Sequence, residues 1–229
     1  MVPANNSPSG SKMPFLNGEM LALNVMTVPI EQSIVTEFAS LAGGAPDPTS
    51  FASVRPPWHS DIEWISARTE TAFATFESAF ERLDIAKWVE PYVDYDTQIR
   101  MFGGFVVLRS QCDEPSFHLD WHDGNNNGFN LLTPITDNGA GFGLIYKKLD
   151  GSVGSYDYKM GEAIIIGSNF VHSTAPGRSE RPVALLSFTF GTDKLEYWDA
   201  LSVSAANQGP LYRRPDGLLC RNHRLNRYK

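Results

Sequence analysis

Cysteine is almost missing from this sequence. Cys112 and Cys220 are the only two in 229 residues, too few for a disulfide framework or a thiolate metal site. Long apolar runs are missing as well. No stretch approaches the roughly 18 uninterrupted apolar residues of a membrane span, and residues 1–13 are polar, without the apolar core of a secretory signal. Cationic charge is in deficit: 19 Lys and Arg against 26 Asp and Glu give a net charge of −7, which disfavours nucleic acid and anionic membrane as partners. These absences predict a cytoplasmic protein with neither of those partners.

What is present suits a globular fold. Hydrophobic residues reach 42%, which allows a sizeable core and excludes wholesale disorder. The 19 glycines and 15 prolines favour turns and β-structure over a helical bundle. The length fits one substantial domain. We divide the chain into a flexible leader (1–13), a single domain (14–209) and a basic tail (210–229). In the tail six cations stand against Asp216 alone, leaving −12 on the first 209 residues.

Within the domain, residues 14–96 read as a strand followed by buttressing helices. Ile30, Ile34, Phe38 and Leu41 share one helical face. Ser60 and Glu63 have the spacing of a capping box. Ile62, Ile65, Phe73, Phe76, Phe80 and Leu83 continue as a helical stripe, predicting one long helix that begins at Ser60 and lies on a sheet. The texture then changes. Short runs rich in Val, Ile, Phe, Tyr and Thr occupy 97–110, 117–121, 129–136, 141–147, 155–160, 162–168 and 181–191. With tight turns at 137–141 and 149–154 they predict a sandwich or barrel over 97–191. Residues 192–209 predict a terminal helix.

The five histidines can be taken one by one. A His-x-acid pair on a strand supplies two metal ligands on one face, but such pairs arise readily by chance, and this sequence has two. In His59-Ser60-Asp61, Ser60 is the natural cap of the expected helix and Asp61 sits in its first turn, which needs no metal. His118-Leu119-Asp120 lies in a β-rich run. His172 follows the apolar run 163–166 and is the candidate third ligand. Two neutral imidazoles and one carboxylate suit Fe(II) with open coordination positions, and zinc accepts the same set. Arg181 opens the last strong strand, on the face of Val183, Leu185 and Ser187. Turned inward, its guanidinium would need a planar carboxylate, which a bound dicarboxylate would supply. Arg109 lies on a strand apolar on both faces and is assigned to the surface at the strand end.

The string His118-x-Asp120, His172 and Arg181, with its flanking segments, resembles the Fe(II)/2-oxoglutarate-dependent dioxygenase superfamily over roughly residues 97–191. The resemblance implies a mainly β fold, a double-stranded β-helix or jelly roll, with flanking helices. It implies Fe(II) held by His118, Asp120 and His172, with 2-oxoglutarate as cosubstrate paired to Arg181, and O₂ as oxidant. Where relatives often carry a tyrosine, this chain has Pro134, so Asn130 on the same face is the candidate second anchor of the cosubstrate. The implied reaction is hydroxylation of a small molecule, or of a peptide or protein, with release of succinate and CO₂. The other readings of the same residues are a non-redox cupin-like binding module and a metal-dependent isomerase or hydrolase on the same barrel.

Overall fold

The computed structural model describes residues 22–43, 46–55, 61–121, 126–137 and 142–222. The leader, His59, Ser60, most of the 137–141 turn and the tail beyond residue 222 lie outside them. The strands are β1 (Val25–Pro29), β2 (Phe51–Val54), β3 (Ile62–Ala67), β4 (Arg100–Cys112), β5 (Gly128–Pro134), β6 (Leu144–Lys147), β7 (Val153–Tyr156), β8 (Glu162–Ile166), β9 (His172–Thr174), β10 (Gly177–Gly191), β11 (Leu211–Arg213) and β12 (Leu219–Arg221). The helices are α1 (Gln32–Thr36), α2 (Ala39–Ala42), α3 (Glu70–Arg82), α4 (Ala86–Val89) and α5 (Trp198–Ala205).

Seven strands form an antiparallel sheet in the order β1-β8-β5-β10-β4-β3-β2, and β7-β6-β9 form a smaller one. Their inner faces meet where Val25, Ile164 and Ile166 pack on Leu144, Tyr146 and Tyr156. This is the predicted jelly roll. The alternation along β10 explains the layering. Ala184, Leu186, Phe188 and Phe190 point outward into the main core, and Val183, Leu185, Ser187 and Thr189 point inward. On the outer face α3 buries Phe73, Phe76 and Phe80, with Phe76 edge-on to Phe188 at 6.3 Å. A Cβ on Gly104 would stand 2.6 Å from Phe76, so only glycine lets α3 approach the sheet this closely.

Three expectations are corrected. The long helix does not begin at Ser60. Ile62–Ala67 is β3, laddered to β4 through Ile62↔Arg109, Trp64↔Val107 and Ser66↔Phe105. The helix starts after Thr69, whose hydroxyl accepts from the Ala72 N–H at 3.2 Å. The three-residue spacing of Ile62 and Ile65 imitates a helix, but the period-two set Ile62, Trp64 and Ser66 finds a sheet edge to complete. Residues 117–121 are a loop with a single bridge, His118↔His172. Finally, the basic tail, set apart from the domain in sequence, packs on it over residues 211–221: β11 and β12 pair as a hairpin, Leu211 joins the main core, and Arg213 clasps Glu77 of α3 with its Nε and Nη2. Among the described residues no helix is long and apolar enough to cross a membrane.

Candidate metal centre

The three-residue strand β9 and the loop after β4 hold each other through reciprocal backbone bonds. His118 N–H donates to His172 O at 2.9 Å, and His172 N–H donates to His118 O at 3.0 Å. That bridge brings the two imidazoles to 4.8 Å between centroids. Trp121, 1% exposed, pins the loop by packing with Phe102, Leu201 and Ala205. A Cβ on Gly128 would lie 2.6 Å from its indole, so glycine is required at the start of β5. Ser204 of α5 donates to the Asp120 carbonyl. The helix therefore fixes the loop's backbone, and the sheet fixes its side chain, because Asn130 Nδ2 donates to Asp120 Oδ2 at 2.6 Å.

His118, Asp120 and His172 each offer one donor atom, all within 4.8 Å of one another, and they are the sole such cluster among the described residues. Each imidazole has one nitrogen occupied. His118 Nδ1 lies 2.7 Å from Ser116 O and His172 Nδ1 lies 2.9 Å from Phe170 O, so both Nδ1 atoms carry the proton and both Nε2 lone pairs are free. Those Nε2 atoms face Asp120, at 3.4 Å from Oδ1 and 3.6 Å from Oδ2. Burial opposes ionisation of Asp120, but the two histidines and the Asn130 hydrogen bond hold its pKa down to about 2. Burial pushes His172 below the ordinary imidazole value, which favours the neutral ligating form. The Asp120 hydrogen bond raises His118.

The cluster opens into a cavity of about 300 Å³ between the sheets. Its floor is the inner face of the large sheet: Leu185 and Ser187 of β10, Phe105, Val107 and Arg109 of β4, and Ile62 and Trp64 of β3. Here the arginine expectation fails. Arg181 is exposed and does not line the cavity. It has the alternation parity of Val183 and Leu185, but the β10–β4 ladder breaks its register between Arg178 and Val183, which carries Arg181 past the barrel into solvent. Arg109 takes the inward position instead. It is 9% exposed, directly opposite Val183, and lines the cavity. Its Nη2 meets Asp61 Oδ2 at 2.5 Å, and its Nε donates to Asp61 Oδ2 at 2.8 Å and to Gln111 O at 2.9 Å. Asp61, expected in a helix's first turn, is therefore the partner of a buried cation. Asn130, the candidate second anchor, lines the cavity and donates its amide N–H to the candidate metal ligand Asp120.

The residues fit an iron and a dicarboxylate. The donor set is that of a two-histidine, one-carboxylate site. Three buried polar atoms of cavity-lining residues, Asn130 Oδ1, Ser187 Oγ and Gln208 Oε1, have no hydrogen-bond partner among the described residues, and such groups are costly unless a ligand or water completes them. Tyr158 also lines the cavity. Its burial first, and the Asp120 charge second, raise its pKa, so its phenol stays a protonated donor.

No protein-family model matches the sequence, and no curated protein matches it. Solved structures do match. The α-ketoglutarate-dependent epimerase SnoN of nogalamycin biosynthesis aligns over 74% of this chain and 77% of its own, at 11% identity and a TM-score of 0.56. HygX from Streptomyces hygroscopicus, solved with nickel, 2-oxoglutarate and hygromycin B, aligns over 77% and 88%, at 14% identity and 0.54. EctD from S. alaskensis aligns over 82% and 80%, at 13% identity and 0.55. The chain has the fold of the Fe(II)/2-oxoglutarate-dependent oxygenases.

Proposed function

We propose that this protein is an Fe(II)- and 2-oxoglutarate-dependent oxygenase that hydroxylates a small molecule, releasing succinate and CO₂. The observation that carries the reading is the convergence of two free Nε2 atoms and one ionised carboxylate at the head of a cavity whose wall presents a buried arginine. His118, Asp120 and His172 are the metal ligands in this reading. Asn130 keeps the Asp120 carboxylate oriented. Arg109 replaces Arg181 as the partner of the cosubstrate's distal carboxylate, with Asp61 and the Gln111 carbonyl fixing the orientation of its guanidinium. Tyr158 and Ser187 are neutral donors that complete the acceptor oxygens of the same anion.

When bound, iron and 2-oxoglutarate together supply an oxidant strong enough to break a C–H bond. The chain's own contribution is placement. The sheet floor excludes water with Phe105, Val107 and Leu185, and the half-buried Asp120 and the buried Arg109 supply opposite charges at two places in one cavity. A non-redox binding module has no use for the converged ligand set. A metal-dependent isomerase or hydrolase gives the buried Arg109 no task. SnoN is an epimerase, so the product decides between hydroxylation and another outcome. The test is succinate formation from 2-oxoglutarate with added ferrous iron, followed by mass analysis of a stimulated product under labelled O₂. We expect turnover in the native chain, none in Asp120→Ala, and incorporation of one labelled oxygen. A native chain that neither binds ferrous iron nor forms succinate contradicts the proposal.

A further inference from the structure

One cavity wall has a task that neither the metal ligands nor the cosubstrate partner explains. Gln208 lines the cavity, and among the described residues its buried Oε1 has no hydrogen-bond partner. The residue is held there by design of the backbone. Ser66, at the inner end of β3, donates its hydroxyl to the Gln208 carbonyl at 2.8 Å. A Cβ on Gly209 would stand 3.0 Å from Ser66 Cβ, so the chain after α5 runs tightly over β3. Ser66 is opposite Phe105, and Phe105 is opposite Ser187, in one inward-facing row of the sheet. Trp64 packs on the Phe105 ring at 5.8 Å between centroids, and both rings line the same cavity as Gln208.

Arg109 and the metal ligands are already assigned to the cosubstrate and the metal, and among the described lining residues the one remaining ionisable group is a phenol, Tyr158. A buried ionic substrate would find no counter-charge of its own, which is the costly case. A carboxamide can donate or accept, so it completes a neutral hydroxyl, carbonyl or amide group. The flat Trp64 and Phe105 surfaces offer area to an apolar or planar body.

We propose that Gln208 and Trp64 form the specificity site for the organic substrate, and that this substrate is a small uncharged molecule. Its apolar ring or chain lies on Trp64 and Phe105, and its neutral polar group bonds to the Gln208 amide. This rests on the oxygenase reading for the word substrate, but the binding site itself does not need metal.

The test uses three probes of one shape and different charge, benzamide, benzoate and benzylamine, titrated into the full-length chain by ligand-observed NMR, with and without ferrous iron and 2-oxoglutarate under argon. We expect benzamide to bind at least tenfold more tightly than either charged probe. Gln208→Leu should weaken benzamide at least tenfold. Gln208→Glu, of the same shape, should reverse the order in favour of benzylamine, a readout that a merely structural role would not move. Equal binding of the three probes, or an unchanged order in Gln208→Glu, overturns the proposal. The visible band of the iron–2-oxoglutarate complex, recorded before any probe is added, reports separately on the oxygenase reading: its absence with intact probe selectivity would sink that reading and leave the neutral-ligand site standing.

Discussion

Arg109 lies directly opposite Val183 in the β4–β10 ladder, so the cavity's buried cation comes from the neighbouring strand and not from the strand that carries Arg181. Arg109→Ala is therefore expected to raise the 2-oxoglutarate requirement. Removing one partner of a buried charge pair costs about 2–5 kcal/mol, which is roughly 30-fold or more in affinity. Arg181→Ala, on the exposed side of the register break, should change it less than about twofold by the same scale. Isothermal titration of 2-oxoglutarate into the two metal-loaded variants measures both. Arg109→Lys, which keeps the charge beside Asp61, guards against misfolding.

Asn130 reaches the metal centre only through Asp120. Replacing an outer partner of a metal ligand typically lowers metal affinity about 10–100-fold. Asn130→Ala should do so with the fold intact, and Asn130→Asp should be worse, because it sets two carboxylates against each other. Competitive metal titration with a chromophoric chelator reads the difference.

Metal affinity should fall as pH drops. Asp120 raises the pKa of His118 above its ordinary 6.5, so the folded chain holds that proton to higher pH than a free imidazole would. Ligation requires its loss. The decline therefore begins above pH 6.5, while Asp120, ionised down to about 2, contributes nothing to the slope there. Metal titrations at a series of pH values check the sign. An affinity that is flat or rises on acidification disagrees with it.

The outer core should prove as important to the barrel as the inner one. Phe76 is fully buried between Phe38, at 4.8 Å, and Phe188. Phe76→Ala should destabilise the chain by about 3–5 kcal/mol. Urea denaturation, comparing midpoints at equal slope, measures it.

Much of this was legible in the residues. The strands of 100–191 announce themselves because short runs rich in Val, Ile, Phe, Tyr and Thr are separated by turn residues. The ligand set is readable because His118 and Asp120 are two apart and His172 follows the apolar run 163–166. Failures came where pairing, not pattern, decides. Ile62 and Ile65 fit either period until β4 is beside them. Arg181 has the right parity but lies beyond a break in the ladder. Arg109 sits on a strand apolar on both faces, and only its pairing with Val183 and Ile62 shows which way it points. Gln208 and Ser66, 142 residues apart, leave no mark in any local window.

The most direct test of the central claim is an anaerobic titration of 2-oxoglutarate into the ferrous-iron-loaded chain, followed by visible absorption. The account predicts a saturable charge-transfer band at one equivalent of iron, absent in His172→Ala and Asp120→Ala, and needing far more 2-oxoglutarate in Arg109→Ala than in Arg181→Ala. A native chain that shows no band at saturating iron and 2-oxoglutarate, or a band unaffected by loss of His172, would contradict it.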